Sequence, residues 1–303
     1  MNTFICRYDF DNFEDPHKFK LKLRNGARFQ ILNNYYEYSF LPKEYEQALF
    51  CYSLLDSKKE AEESIEFSNN VIQYLCCIPI YERDSYIFER ELDTSVICKT
   101  SNISVKKEKI FKYVSDKILK FKVERKLFDE VINLNRVAFS NFAENRIEDS
   151  ILYYFKIIEK LAKKNHTKFY EKNYTKKVKQ NNKQRLRNFI EEYFDENFKI
   201  NMTENMLNTA IDDIYIKLKS QAYSSIFLKI SFFCNCKNID ISADKLNVLV
   251  KTRNKLAHGD IVDESMLESS ISTAFWLSNE FIALYFFNKH YHEINIDTQI
   301  YDF

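Results

Sequence analysis

The chain has 303 residues, 45% hydrophobic and 29% charged, with a formal net charge of +1 at pH 7. That length accommodates two modest domains, and that balance of apolar and charged residues excludes a disordered chain. Two Gly and three Pro in the whole sequence, against ordinary usage of about 7% and about 5%, favour long helices.

The seven cysteines are odd in number. Cys76 and Cys77 are adjacent, and the Cys234-x-Cys236 pair lacks a matching partner pair, so all seven read as buried reduced thiols in a reducing compartment. Structural zinc normally takes two ligand pairs, and the nearest candidates, His290 and His292, read as the polar end of a helix; no metal or cofactor is expected. No signal peptide opens the chain. Its most hydrophobic stretch, 275–287, is interrupted by Asn279 and Glu280, well short of the roughly 18 uninterrupted apolar residues of a membrane span. The expectation is a cytoplasmic protein with no membrane partner.

In chain order, Phe19, Leu21 and Leu23 alternate with lysines, and Phe29 and Ile31 alternate after Asn25-Gly26, the sharpest hairpin signal present. A three-residue loop, Arg24-Asn25-Gly26, with Gly in the left-handed position and a bulge, would align Leu21 with Phe29 and Phe19 with Ile31 on one face. An apolar run over 48–55 precedes an Asp56-Ser57 helix start and a helical pattern over 58–77, and 86–92 reads as a further strand. From about Lys106 the periodicity becomes helical. Ile110, Val114, Ile118 and Phe121, then Leu127, Val131, Leu134, Ala138 and Phe142, are spaced as one buried face. Arg146-Ile147-Glu148-Asp149 breaks the pattern. The next helix presents Ile151, Tyr154 or Phe155, Ile158 and Leu161, making an antiparallel pair with its predecessor.

The fold class is α+β: a small mixed α/β domain over 1–105, followed by an all-α bundle over 106–303.

Between Lys160 and Ile190 stand eleven Lys and Arg and one acid, Glu171, so this stretch carries +10 and the remainder −9. Phe169, Tyr170 and Tyr174 could stack on bases while Lys168, Lys172, Lys176, Lys177, Arg185 and Arg187 meet phosphates, a layout suited to single-stranded RNA. A solvated helix connection is the other account of the same residues. Helical patterns resume over 186–194, 206–218 and 226–233, with Asp212-Asp213 on a solvated helix edge. After residue 260, Leu267, Ile271, Phe275, Ser278, Ile282 and Tyr285 or Phe286 mark a long last helix that carries the lone Trp276. Its aromatic surface is core first, with the excess a candidate subunit interface.

Catalytic residue types reach a usable spacing in Arg253-Asn254-Lys255-Leu256-Ala257-His258-Gly259. Leu246, Leu249, Val250 and Leu256 make this the end of an amphipathic helix starting near Ala243 or Asp244, and Gly259 is its stop signal. His258 then sits at a helix C-terminus, where the macrodipole favours an imidazolium, with Asn254 one turn back and Arg253 on the flank of that face. Such a group suits cleavage of an RNA phosphodiester by in-line attack of the 2′-hydroxyl, which needs no metal. Histidine can exchange a proton near neutral pH, whereas arginine, with a pKa above about 12, can only neutralise charge on the phosphoryl oxygens.

The heptapeptide resembles the RNase motif of the HEPN superfamily: an Arg, usually followed by a polar residue, then four to six positions, then His. The stretch from Ala138 through Ile157-Ile158-Glu159-Lys160-Leu161 resembles the first helical pair of Apea-like HEPN domains, in which a Glu at the corresponding place lies near the motif. The resemblance spans roughly residues 125–290 and is specific near 150–161 and 250–260. It implies an all-helical HEPN bundle and a metal-independent endoribonuclease leaving a 2′,3′-cyclic phosphate. Arg253 would stabilise the phosphorane, His258 would handle the proton, and Asn254 and Glu159 would orient them. Glu159 reads equally as a solvated glutamate. HEPN ribonucleases are typically dimers whose motifs face one another, so a homodimer is implied, with a sensor or restraint in residues 1–105. The setting implied is phage defence or a toxin paired with an antitoxin or other regulatory partner. A non-catalytic HEPN module binding RNA, a nucleotide or a protein is the alternative. In a purely structural account, Arg253 makes a capping salt bridge and His258 a dipole contact.

Overall fold

The computed structural model describes residues 3–9, 23–41, 46–77, 86–90, 98–173, 176–198 and 203–296. It divides into two compact units, Met1–Ile157 with Thr252–Phe303, and Ile158–Lys251. An antiparallel sheet and a set of helices make an α+β fold. Helices beyond residue 105 share the first unit with the sheet.

In the first unit, β1 (Thr3–Asp9), β2 (Ala27–Ile31), β3 (Asn34–Leu41), β4 (Glu46–Ser53) and β5 (Tyr86–Arg90) lie in the order β2-β3-β4-β1-β5. Ala27, Phe29 and Ile31, Asn34, Tyr36 and Tyr38, Leu49, Cys51 and Ser53, and Phe4 and Cys6 are all buried. Their register, Phe29 opposite Tyr36 and Tyr36 opposite Cys51 opposite Cys6, puts these alternating residues on one face.

Gly26, at φ +71, occupies the third position of a turn closed by the Ala27 N–H donating to Arg24 O at 2.9 Å. Phe19 and Leu21, which the sequence aligns with Ile31 and Phe29, lie outside the described residues. Strand β2 pairs with β3, through a two-residue turn at Leu32-Asn33. Leu32 has φ 54 there, and its N–H donates to Ser115 Oγ at 3.0 Å. A leucine where hairpins favour glycine carries no turn signal, and this hairpin was not legible in the sequence.

Helix α1 (Lys58–Cys76) starts at Ser57, whose hydroxyl accepts from the Glu60 N–H at 3.3 Å. It meets the sheet through polar as well as apolar groups. Asn34 Nδ2 donates to Ser64 O at 3.0 Å and Ser68 Oγ at 2.8 Å, and Tyr36 OH donates to Asn69 Oδ1 at 3.1 Å. Because Asn34 is fully buried, Asn34→Ala is expected to cost about 1–3 kcal/mol by stranding these partners, measured as a lowered Tm.

Helices α2 (Val105–Leu119) and α3 (Arg125–Ala143) follow, then α4 (Ile147–Asn173). Phe111 of α2 stacks on Phe29 with ring centroids 4.5 Å apart. On α3 the buried face runs through Phe128, Val131, Ile132, Asn135, Ala138 and Phe139. That corrects the sequence pattern, because Leu127, Leu134 and Phe142 are only half-buried at its border. The chain reverses over residues 144–146, where Asn145 has φ 60 and Ser150 Oγ donates to Ala138 O at 2.8 Å.

The last helices complete this core. α9 (Glu264–Ile282) leads into a π-helical turn, Ala283–Phe287, and the short α10 (Tyr291–Ile294). Asn279 and Glu280, which break the apolar run in the sequence, are buried here with partners. Asn135 Nδ2 donates to Asn279 Oδ1 at 3.0 Å and the Tyr291 N–H to Glu280 Oε2 at 2.8 Å, while His290 Nδ1 meets Glu280 Oε1. Tyr291 OH donates to Tyr74 O at 2.7 Å, and Tyr74 OH to Asn279 O at 3.1 Å, fastening α1 to the chain's last helices.

In the second unit, α5 (Lys176–Phe198) and α6 (Glu204–Ser224) precede α7 (Ile226–Lys237). Arg187 meets Glu204 while Lys183, one turn earlier, meets Asp212, two turns later, so α5 and α6 run antiparallel. Ile190, Leu207 and Ile211 form the apolar seam between them.

All seven cysteines are free thiols. Five are buried, but Cys98 and Cys236 are exposed, which corrects the expectation that all are interior. Among the described residues no helix is long and apolar enough to cross a membrane.

Candidate functional site

Helix α8 (Ala243–His258) carries the motif at its C-terminal end. It begins at Ser242, whose hydroxyl accepts from the Lys245 N–H at 3.3 Å, and it buries Leu246 and Leu249. It ends as the sequence requires. The Gly259 N–H donates to Leu256 O at 3.1 Å and the Asp260 N–H to Lys255 O at 3.0 Å, the paired bonds of a Schellman ending. Gly259 has φ +77, and a β-carbon placed on it would meet nothing within 4 Å. The cost of Gly259→Ala is therefore in the backbone alone. A loss of roughly 1–2 kcal/mol is expected on thermal melting, with fraying of the turn that carries His258.

Within the first unit, Thr252 is buried and accepts from Ser270 Oγ at 2.8 Å, which ties the start of the motif to α9. Arg253 follows, half-buried, with its guanidinium 5.2 Å from the centroid of the Phe155 ring of α4. Phe155 is itself buried, and a cation over an aromatic face that keeps contact with water gains roughly 0.5–1 kcal/mol, so this ring favours one position of the guanidinium. Arg253 Nη1 also donates to Asn254 Oδ1 at 3.0 Å. Asn254 and His258 are exposed to solvent. Five positions on one α-helix separate Arg253 from His258 by about 140° around the axis and about 7.5 Å along it. Asn254, about 40° from His258, shares its face. The helix thus presents a fixed cation on one flank and a proton-exchanging ring on an open face.

Glu159 belongs to the second unit. It is half-buried on α4, and its carboxylate accepts from Lys163 Nζ one turn on. Of the basic segment, Lys168 is exposed on α4, Lys172 lies in the same helix, and Lys176 and Lys177 open α5. Tyr174 lies outside the described residues. Arg185 is exposed, whereas Arg187 donates to Glu191 Oε1 at 3.3 Å and to Glu204 Oε2. The Arg187 hydrogen bond holds the Glu204 carboxyl below its usual range. Asp212 and Asp213 are exposed on α6, the former paired with Lys183.

Among the described residues no three His, Cys, Asp or Glu side chains gather as metal ligands. His290 caps α10 and stacks on His292 with centroids 5.6 Å apart. Cavities of about 360 and 330 Å³ flank Leu32 and Asn33 in the first unit. The larger lies between β2 and α2, floored by Phe29 and Phe111 and rimmed by Glu108, Lys112 and Asp116.

The Phe155 platform under Arg253 and the Thr252–Ser270 bond were not identified from the sequence. Phe155 is visible there only as one of two apolar choices on its helix. No protein-family model, curated protein or solved structure matches the chain.

Proposed function

We propose that the protein is a metal-independent endoribonuclease of HEPN type, which cleaves RNA by 2′-hydroxyl attack and leaves a 2′,3′-cyclic phosphate. The observation that carries the proposal is the end of α8, where His258 is exposed while Arg253 is held over Phe155. An exposed imidazole can reach a substrate hydroxyl and move its proton. A guanidinium already fixed in place costs little to order when charge builds on the phosphorane oxygens. Asn254 bonds to the guanidinium and shares a helix face with His258, so it can orient both phosphate and base. Glu159 is the further orienting residue that the resemblance suggests.

On one α8, Arg253 and His258 project in different directions, and in-line displacement needs proton transfer on both sides of the phosphorus. A homodimer with facing motifs supplies two of each residue, so that one His258 serves as base while a group of the other copy serves as acid. Residues 1–105 would then carry the restraint or trigger, with phage defence or a toxin and antitoxin pair as the setting.

The decisive test is labelled, unstructured RNA incubated with the purified protein in excess EDTA. The expected products carry 5′-hydroxyl and 2′,3′-cyclic phosphate ends. RNA that is bound yet stays intact, even with cell extract supplied as a trigger, would replace the enzyme with a binding module.

A further inference from the structure

Helix α2 turns two neighbouring ridges toward the larger cavity, which holds about 360 Å³ between it and β2. Phe111, Ser115 and Leu119 form one at i, i+4 and i+8, and Glu108, Lys112 and Asp116 form the other at the same spacing. The first ridge makes the apolar floor. Phe111 and Phe29 are buried and stacked, with ring centroids 4.5 Å apart, whereas Leu119 stands 54% exposed at the lip.

One polar group reaches into that floor. Ser115 is only 8% exposed, and its oxygen accepts from the Leu32 N–H at 3.0 Å. Among the described residues its own hydroxyl proton meets no acceptor, so a buried donor stands ready for a group that enters the cavity.

The second ridge sets the charge. Its side chains are exposed, follow one another about 6 Å apart along the helix axis, and alternate negative, positive, negative. Among the described residues none of the three is in an ion pair. A simple anion would meet two carboxylates for one ammonium, and a simple cation would find Lys112 between its partners. A ligand carrying both charges on neighbouring groups satisfies the ridge as it stands. Lys112 and Ser115, at i and i+3, are neighbours on the helix surface, so one ligand carboxylate reaches both. The volume is at the lower end of the range for small-molecule sites, which suits a zwitterion with a single apolar side chain.

We propose that this cavity binds a free apolar α-amino acid. Its carboxylate meets Lys112 and accepts from the Ser115 hydroxyl, its ammonium meets a flanking carboxylate of Glu108 or Asp116, and its side chain lies on Phe29, Phe111 and Leu119. The proposal goes beyond the ribonuclease and does not rest on it.

The test is ligand-detected NMR titration of the full chain with three probes: L-phenylalanine, phenethylamine, which lacks the carboxylate, and 3-phenylpropionate, which lacks the ammonium. L-Phenylalanine is expected to bind most tightly. Lys112→Ala should weaken L-phenylalanine and 3-phenylpropionate by roughly 1.5- to 5-fold, the effect of losing one exposed ion pair, without weakening phenethylamine. Glu108→Gln with Asp116→Asn should weaken L-phenylalanine and phenethylamine by a similar factor without weakening 3-phenylpropionate. Because these three side chains are exposed, both variants should melt with the wild type. L-Phenylalanine that fails to saturate the protein, or variants that change all three probes alike or none of them, overturns the proposal. No RNA enters the experiment, so its failure leaves the ribonuclease proposal as it was.

Discussion

His258→Ala is expected to slow RNA cleavage in EDTA by roughly 10²- to 10⁴-fold, the range lost when a positioned acid or base is removed. Arg253→Ala should cost a comparable roughly 10²- to 10³-fold, the usual effect of deleting one group that stabilises transition-state charge. Arg253→Lys restores the charge but not the planar fork, and recovery should be incomplete. Structure and chemistry are separable here. His258 and Asn254 are exposed, so their alanine variants should keep the wild-type circular dichroism and melting temperature. Arg253→Ala also loses the contact with Phe155, and a small drop in melting temperature is expected for that variant alone. If all three variants cut RNA at the wild-type rate, the end of α8 is not an active site.

The largest expected loss of stability is at Phe128. This ring is fully buried on α3, and its centroid lies 5.4 Å from Phe121, 4.9 Å from Phe286, 5.8 Å from Phe287 and 6.1 Å from Phe67. The contacts are edge-to-face, the arrangement that the ring quadrupole favours. They join α1, the α2–α3 connection and the π-helical turn after α9. Phe128→Ala removes a large transfer free energy and leaves a cavity whose walls belong to separate elements, so collapse is limited. About 3–5 kcal/mol is expected, lowering the melting temperature by roughly 6–20 °C. Phe128→Leu should recover a large part of that. A loss below about 1 kcal/mol for the alanine variant would mean that these elements do not share a core.

The motif was legible because its signals are local. A helix ending is announced by the residues within one turn of it, and Gly259 is one of two glycines in the chain. The spacing of Arg253, Asn254 and His258 on a helix follows from 3.6 residues per turn. What restrains the arginine was not legible, since Phe155 and Ser270 are distant in sequence and carry no mark of their partners. The basic segment shows the same limit. Its excess charge is plain in the sequence, but Arg187 is spoken for by Glu204 and Lys183 by Asp212.

By itself the sequence determined the helical identity of most of the chain, the α+β class, the starts at Ser57 and near Ala243 and the stop at Gly259, because periodicity and capping act over a few residues. It also confined the aromatic excess to faces rather than spreading it along the chain. Only the tertiary structure decided that Asn135, Asn279 and Glu280 are interior, since a polar side chain can be buried when a partner from another element satisfies it. It alone decided that β2 turns into β3 at Leu32, where the bond to Ser115 supports a conformation that leucine does not choose locally. Hydrophobic pattern selects an element and its buried side, whereas the choice of partner is made by hydrogen bonds and ring contacts that exist only once distant segments have met.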